Sequence, residues 1–350
     1  MDTSSPAPGA APHRPGGGIW HHLSGRSRLG RALRWAFAVA AIGAAVRLLA
    51  VDFDWAALGR ALAGADLRLW LAAVLAFHVS VAARAWRWRG LLATARAPAS
   101  LGATYAALVM AWGLNCILPA RVGDAYRPIL LRRWSAATIS AGLGTVAIER
   151  VIDLAAVVAG GLLAGWAALG SDLPPALIVA GLVIVGLVTA FVVALVWFRR
   201  PLGHLARRLP LPLEVHEVVA GFGAGLVAVD RRSVVPRLAE TVVVWGSEVV
   251  RTALVLAALG LLGAPFGVGA VVFVALSASL LSAVPISPAG LGLVEAGLLG
   301  VLHGLFGLAL PLAAAVVILE RAISVGTLLL AAGLTWLVTG LSAGVPAASR

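Results

Sequence analysis

Lysine is missing altogether: all 27 basic residues of this 350-residue chain are arginine, and the formal net charge is +12. That excludes Schiff-base chemistry and any phosphate loop that depends on a lysine. Cysteine is almost missing. Cys116 stands alone, so there is no intrachain disulfide and no cysteine-based metal site. Charge of either sign is scarce, at 12% of residues against about 25% in soluble domains. No polar stretch outside the apolar runs exceeds roughly 40 residues, which is short for a soluble domain. What remains is 61% hydrophobic, and several runs reach the ~20 apolar residues that span a bilayer. These properties describe an all-α integral membrane protein.

The excess of arginine would suggest nucleic acid in a soluble protein. Here the arginines gather at the ends of apolar runs, which is the positive-inside pattern. Nucleic acid is therefore not an expected partner. Residues 1–30 read as a disordered cytoplasmic tail without a cleavable signal. Arg26, Arg28, Arg31 and Arg34 place that end in the cytoplasm, ahead of a first span at Leu33–Val51. Trp55, Leu58, Leu62 and Leu69 suit a short interfacial amphipathic helix. A span at Leu69–Trp88 returns inward and ends in an interface belt from Arg84 to Arg89. Further spans are expected at Ser135–Leu169, Ala176–Phe198, Leu238–Leu262 and Leu310–Val338. The loop 199–236 holds Arg207, Arg208, Arg231 and Arg232 and reads as cytoplasmic, with Leu213–Val229 lying along the membrane surface. Residues 341–350 form a cytoplasmic tail.

Two segments fit no simple span. Leu101–Leu118 is apolar, but arginines follow it, so it reads as a hairpin from the inside, broken at Pro119 and Gly123. Residues 267–306 carry no arginine and break at Pro285–Gly292, which suits a hairpin from the outside. Irregular backbone at membrane depth requires protein or a cavity around it. The sum is six full spans and two re-entrant broken hairpins, about eight transmembrane segments in one polytopic domain over 31–340. The halves, about 33–170 and 176–338, repeat the same order in reversed direction. That is the pattern of an inverted repeat, with a site near the midplane where broken helices meet.

The polar residues fall into matching groups. Asn115, Pro119, Arg121, Gly123, Asp124 and Arg127 surround the first break. Proline ends a helix, glycine lets backbone approach, and freed amides beside arginine suit a phosphate. The plain alternative is a cytoplasmic loop with interfacial arginines. Glu149 and Asp153 share a helix face, and Arg150 can pair with Asp153 three residues on. Each such charge costs about 2.5–3.5 kcal/mol at mid-bilayer on insertion scales, so it needs a partner or water. A purely structural staple between helices would also satisfy this. Pro285, Ser287, Pro288, Gly290, Gly292 and Glu295 form the second break, otherwise readable as an external turn. Glu320 and Arg321 repeat Glu149 and Arg150, each pair 25 residues beyond its acid. Glu248 and Arg251 read as an ordinary i,i+3 pair. His78 and His303 read as isolated packed residues, and Gly161/Gly165 and Gly300/Gly304 as helix-packing pairs. No histidine spacing suggests a metal, and no cofactor is expected.

The run Asn115–Asp124 with Arg127, then Glu149, Arg150 and Asp153, then Pro285–Gly292 with Glu295, then Glu320 and Arg321, resembles the lysylphosphatidylglycerol synthase transmembrane-region family, also called flippase-like. The resemblance covers about residues 30–340. It implies movement of an anionic or phosphate-containing lipid between leaflets of the bacterial inner membrane. It does not carry aminoacyl-lipid synthesis, because the aminoacyltransferase domain would follow the last span. Expected partners are membrane lipids, an anionic phospholipid or a lipid-linked intermediate. Two other readings stay open: a membrane transferase using a lipid-linked donor, or a non-transporting partner of a separate glycosyltransferase or synthase.

Overall fold

The structure, a computed structural model, describes residues 53–208, 213–226 and 234–342. The span expected at Leu33–Val51, the first tail, residues 343–350, and Arg231 and Arg232 lie outside the described residues. Among the described residues there is no strand, only isolated bridges from Leu262 and Gly263 to Phe266.

The helices begin where capping side chains let them. Helix α1, Trp55–Ala63, starts behind Asp54, whose Oδ1 accepts from the Ala57 amide at 2.7 Å. Helix α2, Leu67–Thr94, starts behind Asp66, which accepts from the Arg68 amide at 2.8 Å. Ser100 caps α3, Leu101–Ile117, and Thr138 caps α5, Ile139–Leu169. Each cap satisfies an otherwise orphaned amide. Helix α4, Val122–Leu131, lies between α3 and α5. Then come α6, Pro175–Arg208, α7, Leu213–Leu226, and α8, Val234–Ala258. Helix α9, Val268–Ala283, leads to a turn and to α10, Leu293–Leu299. A wide-turn segment, Gly300–Leu305, follows. Helices α11, Leu310–Arg321, and α12, Leu328–Ser342, are joined by a second one, Ala322–Thr327.

Among the described residues, five segments are long and apolar enough to cross a membrane: Leu67–Thr94, Ile139–Asp172, Val235–Ala258, Pro288–Leu305 and Leu310–Gly340. Leu101–Ile117, Pro175–Phe191, Glu217–Leu226 and Val268–Ala283 are shorter apolar helices. Pro288–Leu305 differs from expectation, since one arm of a hairpin has the length and apolarity of a span. The helix expected at Leu213–Val229 is found as α7 over Leu213–Leu226, with 227–229 outside the described residues, and Leu69 belongs to α2 rather than to the amphipathic helix α1. Residues 199–208, expected as loop, continue α6.

Helix α2 is turned inside out relative to a helix in water. Leu67, Leu71, Leu75 and Val79, four residues apart, face outward, while Arg84, Arg87 and Trp88 are buried. Leucine outside and arginine inside is stable only where the surroundings are apolar. The protein is thus an all-helical integral membrane protein.

Packing crosses between the halves. Helix α3 packs on α12, and α9 packs on α5. Helix α1 packs on α11, and α7 packs on α5. Helices α2 and α8 pack on each other. With lipid as apolar as the side chains, such contacts rest on close van der Waals fit. At Gly144 and Gly225 the backbones of α5 and α7 leave no room for a Cβ. Gly165 admits Phe273 in the same way. Gly300 and Gly304 meet no other helix closely among the described residues. The core, with Phe77, Leu108, Phe273, Leu298 and Val316, sits between the crossed pairs.

Candidate functional site

The two breaks share a proline followed by two left-handed residues and then part: Val122 enters its helix at once, whereas Leu291 takes ψ of 134° and Gly292 φ of 84° before α10 begins. Pro119 ends α3, and Ala120 and Arg121 both take positive φ, 63° and 51°. Pro288 starts the second turn, and Ala289 and Gly290 take φ of 51° and 71°. Left-handed backbone is easy for Gly290 and strained for the others. After each turn a helix begins with its acid at the third position: Asp124 in α4 and Glu295 in α10. A carboxylate there faces the positive end of the helix dipole.

The acids are held differently. Asp124 accepts from Asn115 Nδ2 at 3.2 Å, from Arg121 Nε at 3.2 Å and from Arg150 Nη2 at 2.7 Å. Asn115 also accepts from the Gly123 amide at 2.8 Å. Gly123 must be glycine, because a Cβ would strike the Ala111 carbonyl oxygen. Glu295 accepts from the Gly292 amide at 2.6 Å and pairs with Arg321 Nε at 2.6 Å. Arg321 also donates to the Ala289 carbonyl at 2.8 Å.

The turns touch each other. Arg121 Nη1 reaches across to the Ser282 carbonyl at the end of α9, at 3.0 Å. Behind them lies a cavity of about 620 Å³, within the range of about 300–1,000 Å³ usual for ligand pockets. Of the sequence candidates, Asn115, Arg121, Asp124, Arg150, Asp153, Pro285, Ser287, Gly290, Glu320 and Arg321 line it. Pro119, Gly123, Arg127, Glu149, Pro288, Gly292 and Glu295 do not; they shape or support its wall.

The wall is a buried ionic lattice. Arg127 pairs with Glu149 and stacks on Trp88, its Cζ 3.9 Å from the ring centre. It is 1% exposed, so it holds the fold rather than a ligand. Arg87 donates to Glu149 at 3.3 Å, to Asp153 at 2.9 Å and to Thr241 at 3.1 Å. Arg84 donates to Asp153 at 3.2 Å and lies between Trp245 and Trp112, at 4.6 and 5.4 Å from their ring centres. Arg150 does not pair with Asp153 as the i,i+3 spacing suggested. Asp153 shares the face of Glu149 toward α2, while Arg150 is rotated about one residue, roughly 100°, toward α4.

Four cavity-lining residues escaped sequence reasoning. Arg84 was expected in an interface belt; with Arg87 it is buried, and Arg89, lying over Trp86 at 4.6 Å, continues the belt beyond them. Glu248 and Arg251 form the expected pair at 3.0 Å, but not an isolated one. Glu248 also accepts from Ser80 at 2.9 Å, and Arg251 also pairs with Glu320. Trp245 completes the aromatic clamp on Arg84. The available signal was spacing, since Arg84, Arg87, Trp88 and Leu91 form one i, i+3, i+4, i+7 face. His78 is not isolated: it meets Thr327 at 3.2 Å. His303 meets the Leu308 carbonyl at 2.8 Å.

Comparison with known proteins places this arrangement. The sequence is 32% identical over 218 residues to UPF0104 membrane protein MJ1078 of Methanocaldococcus jannaschii, taking in 60% of this chain and 87% of that one. It is 29% identical over 309 residues to Glycosyltransferase AglD of Haloferax volcanii, taking in 79% of this chain and 50% of that one. The family model described as "Lysylphosphatidylglycerol synthase TM region" matches residues 35–333, a range that holds both broken turns and every arginine and carboxylate of the cavity wall. The chain belongs to the lysylphosphatidylglycerol synthase TM-region family.

Proposed function

We propose that the protein moves a phosphate-bearing lipid headgroup through this cavity, across the cell membrane. The carrying observation is the cavity between two broken turns, with Arg121 and Arg150 on one side and Arg321 on the other. Each of these arginines has a carboxylate partner and also lines the cavity. Arg121 and Arg150 share the single Asp124, so this corner holds an excess of positive charge. Bidentate guanidinium recognition suits phosphate oxygens, and the acyl chains stay in lipid.

Reading the two halves as an inverted repeat fits this proposal. The crossed packing of α3 on α12 and α9 on α5, and of α1 on α11 and α7 on α5, is what a pseudo-twofold axis in the membrane plane would give. On this reading the domain over 31–340 has six spans and two hairpins, with both termini cytoplasmic.

The test is translocation of a fluorescent phosphatidylglycerol in proteoliposomes. Arg121→Ala with Arg150→Ala abolishes it while the protein stays folded. Equal rates for the double variant and the wild type contradict the proposal.

The alignment with part of a protein named glycosyltransferase favours a second reading. Here the cavity presents a lipid-linked donor to a separate enzyme. A new glycolipid that forms only when such an enzyme is added, without lipid movement by the purified protein, supports this reading over the first.

A further inference from the structure

The buried lattice is neutral overall but uneven from side to side. On the α5 side, Glu149 lies between Arg127 and Arg87, and Asp153 between Arg87 and Arg84. Each carboxylate there has two guanidinium groups. On the opposite side, Glu248 and Glu320 divide Arg251, one on its Nε and the other on its Nη1. Arg84 approaches Glu248 only to 3.7 Å, its closer contact being Asp153 at 3.2 Å. Both Glu248 and Glu320 are buried, at 6% and 4% exposure, and both line the cavity.

Among the described residues, Arg321 is the further cation beside Glu320, and its short contacts lie elsewhere. Arg321, next to Glu320 on α11, is directed to Glu295 of α10 and to the Ala289 carbonyl. From α2, His78 meets Thr327 one turn and a half beyond Glu320, and Ser80 donates to Glu248. Thr252 of α8 donates to Glu320 Oε1 at 3.0 Å. Helix α9 carries no charged residue. Asp54 and Arg60, on and before α1, pair with each other at the exposed surface.

Two carboxylates sharing one guanidinium away from water favour binding of one proton. An anion entering the same cavity adds negative charge at short range, where the field is weakly screened. We propose that Glu320, coupled to Glu248 across Arg251, is a proton-binding site that takes up a proton when an anionic headgroup enters. The second clause rests on the headgroup reading above; the first does not. The proton comes from water onto a Glu320 oxygen, and Thr252 can then turn its hydroxyl to accept.

Infrared difference spectra of the full-length protein in detergent, titrated from neutral to mildly acidic pH, test the site without lipid. The expected result is a protonated-carboxyl band in the wild type that disappears in Glu320→Gln and shifts in Glu248→Gln. A wild type with no such band, or a band unchanged in Glu320→Gln, overturns the site. Adding phosphatidylglycerol micelles in weak buffer then tests coupling. Proton uptake by the wild type that is absent in Glu320→Gln, once uptake is scaled to the phosphatidylglycerol each protein binds, is the expected outcome. Binding without uptake by the wild type overturns the coupling. Absence of phosphatidylglycerol binding in the wild type contradicts the headgroup reading and leaves the infrared result to decide the proton site.

Discussion

The two broken turns share a proline and a left-handed pair but not their chemistry. The first spends its polar groups on charge: Asp124 gathers Asn115, Arg121 and Arg150. The second spends its polar groups on backbone: Glu295 caps its own helix at Gly292 and keeps one arginine. The carboxylates one helix further on diverge in the same sense. Glu149 has Arg127 and Arg87, whereas Glu320 shares Arg251 with Glu248. A shared proline and left-handed pair with unmatched charge separate two roles. The shape of the turns makes a cavity, and the asymmetry of charge decides what each wall does. On the proposed reading, one wall holds an anion and the other exchanges a proton.

The largest test of this contrast is stability. Glu149→Ala leaves Arg127 unpaired among buried groups, and losing one partner of a buried pair costs about 3–5 kcal/mol. Glu320→Ala costs less, because Arg251 keeps Glu248. Unfolding midpoints in detergent compare the two, and a larger loss for Glu320→Ala breaks the contrast. Next is Gly123→Ala, where a Cβ meets the Ala111 carbonyl; such overpacking costs about 1–3 kcal/mol. The same substitution at Gly300, which has no close neighbour among the described residues, is the control on the same midpoint.

Headgroup affinity follows. Arg150→Ala removes a charge-assisted contact worth about 1.5–3 kcal/mol, so phosphatidylglycerol binding weakens about tenfold or more. Arg321→Ala weakens it less, because Arg321 is already engaged by Glu295 and Ala289. Calorimetric titration of both variants ranks them. The smallest effect is Arg121→Gly. It relieves left-handed strain of about 1–2 kcal/mol, offset in part by the lost pair with Asp124. The melting midpoint therefore hardly moves while binding falls.

Much of this was legible in the sequence. Proline and glycine in apolar runs located both turns, and the repeated 25-residue interval located Glu149 and Glu320. Local chemistry decides those features, so local reading finds them. The partners were not legible. An arginine near the end of a span has one sequence signature whether it snorkels to the headgroups or turns inward, and Arg84 and Arg87 turn inward because Glu149 and Asp153 await them on another helix. Nothing in the sequence separates Arg127 from Arg150 by burial, yet packing against Trp88 buries Arg127 while Arg150 lines the cavity. Glu248 and Arg251 looked complete as an i,i+3 pair; only the approach of α11 adds Glu320.

The central claim is that the arginines between the turns hold a lipid phosphate as it crosses. The most direct measurement is the rate of fluorescent phosphatidylglycerol translocation in proteoliposomes, for wild type and for the Arg121→Ala, Arg150→Ala double variant at matched folded protein. The account predicts translocation above protein-free vesicles for the wild type and none for the double variant. Equal rates in the two, or a wild-type rate no higher than that of empty vesicles, would contradict it.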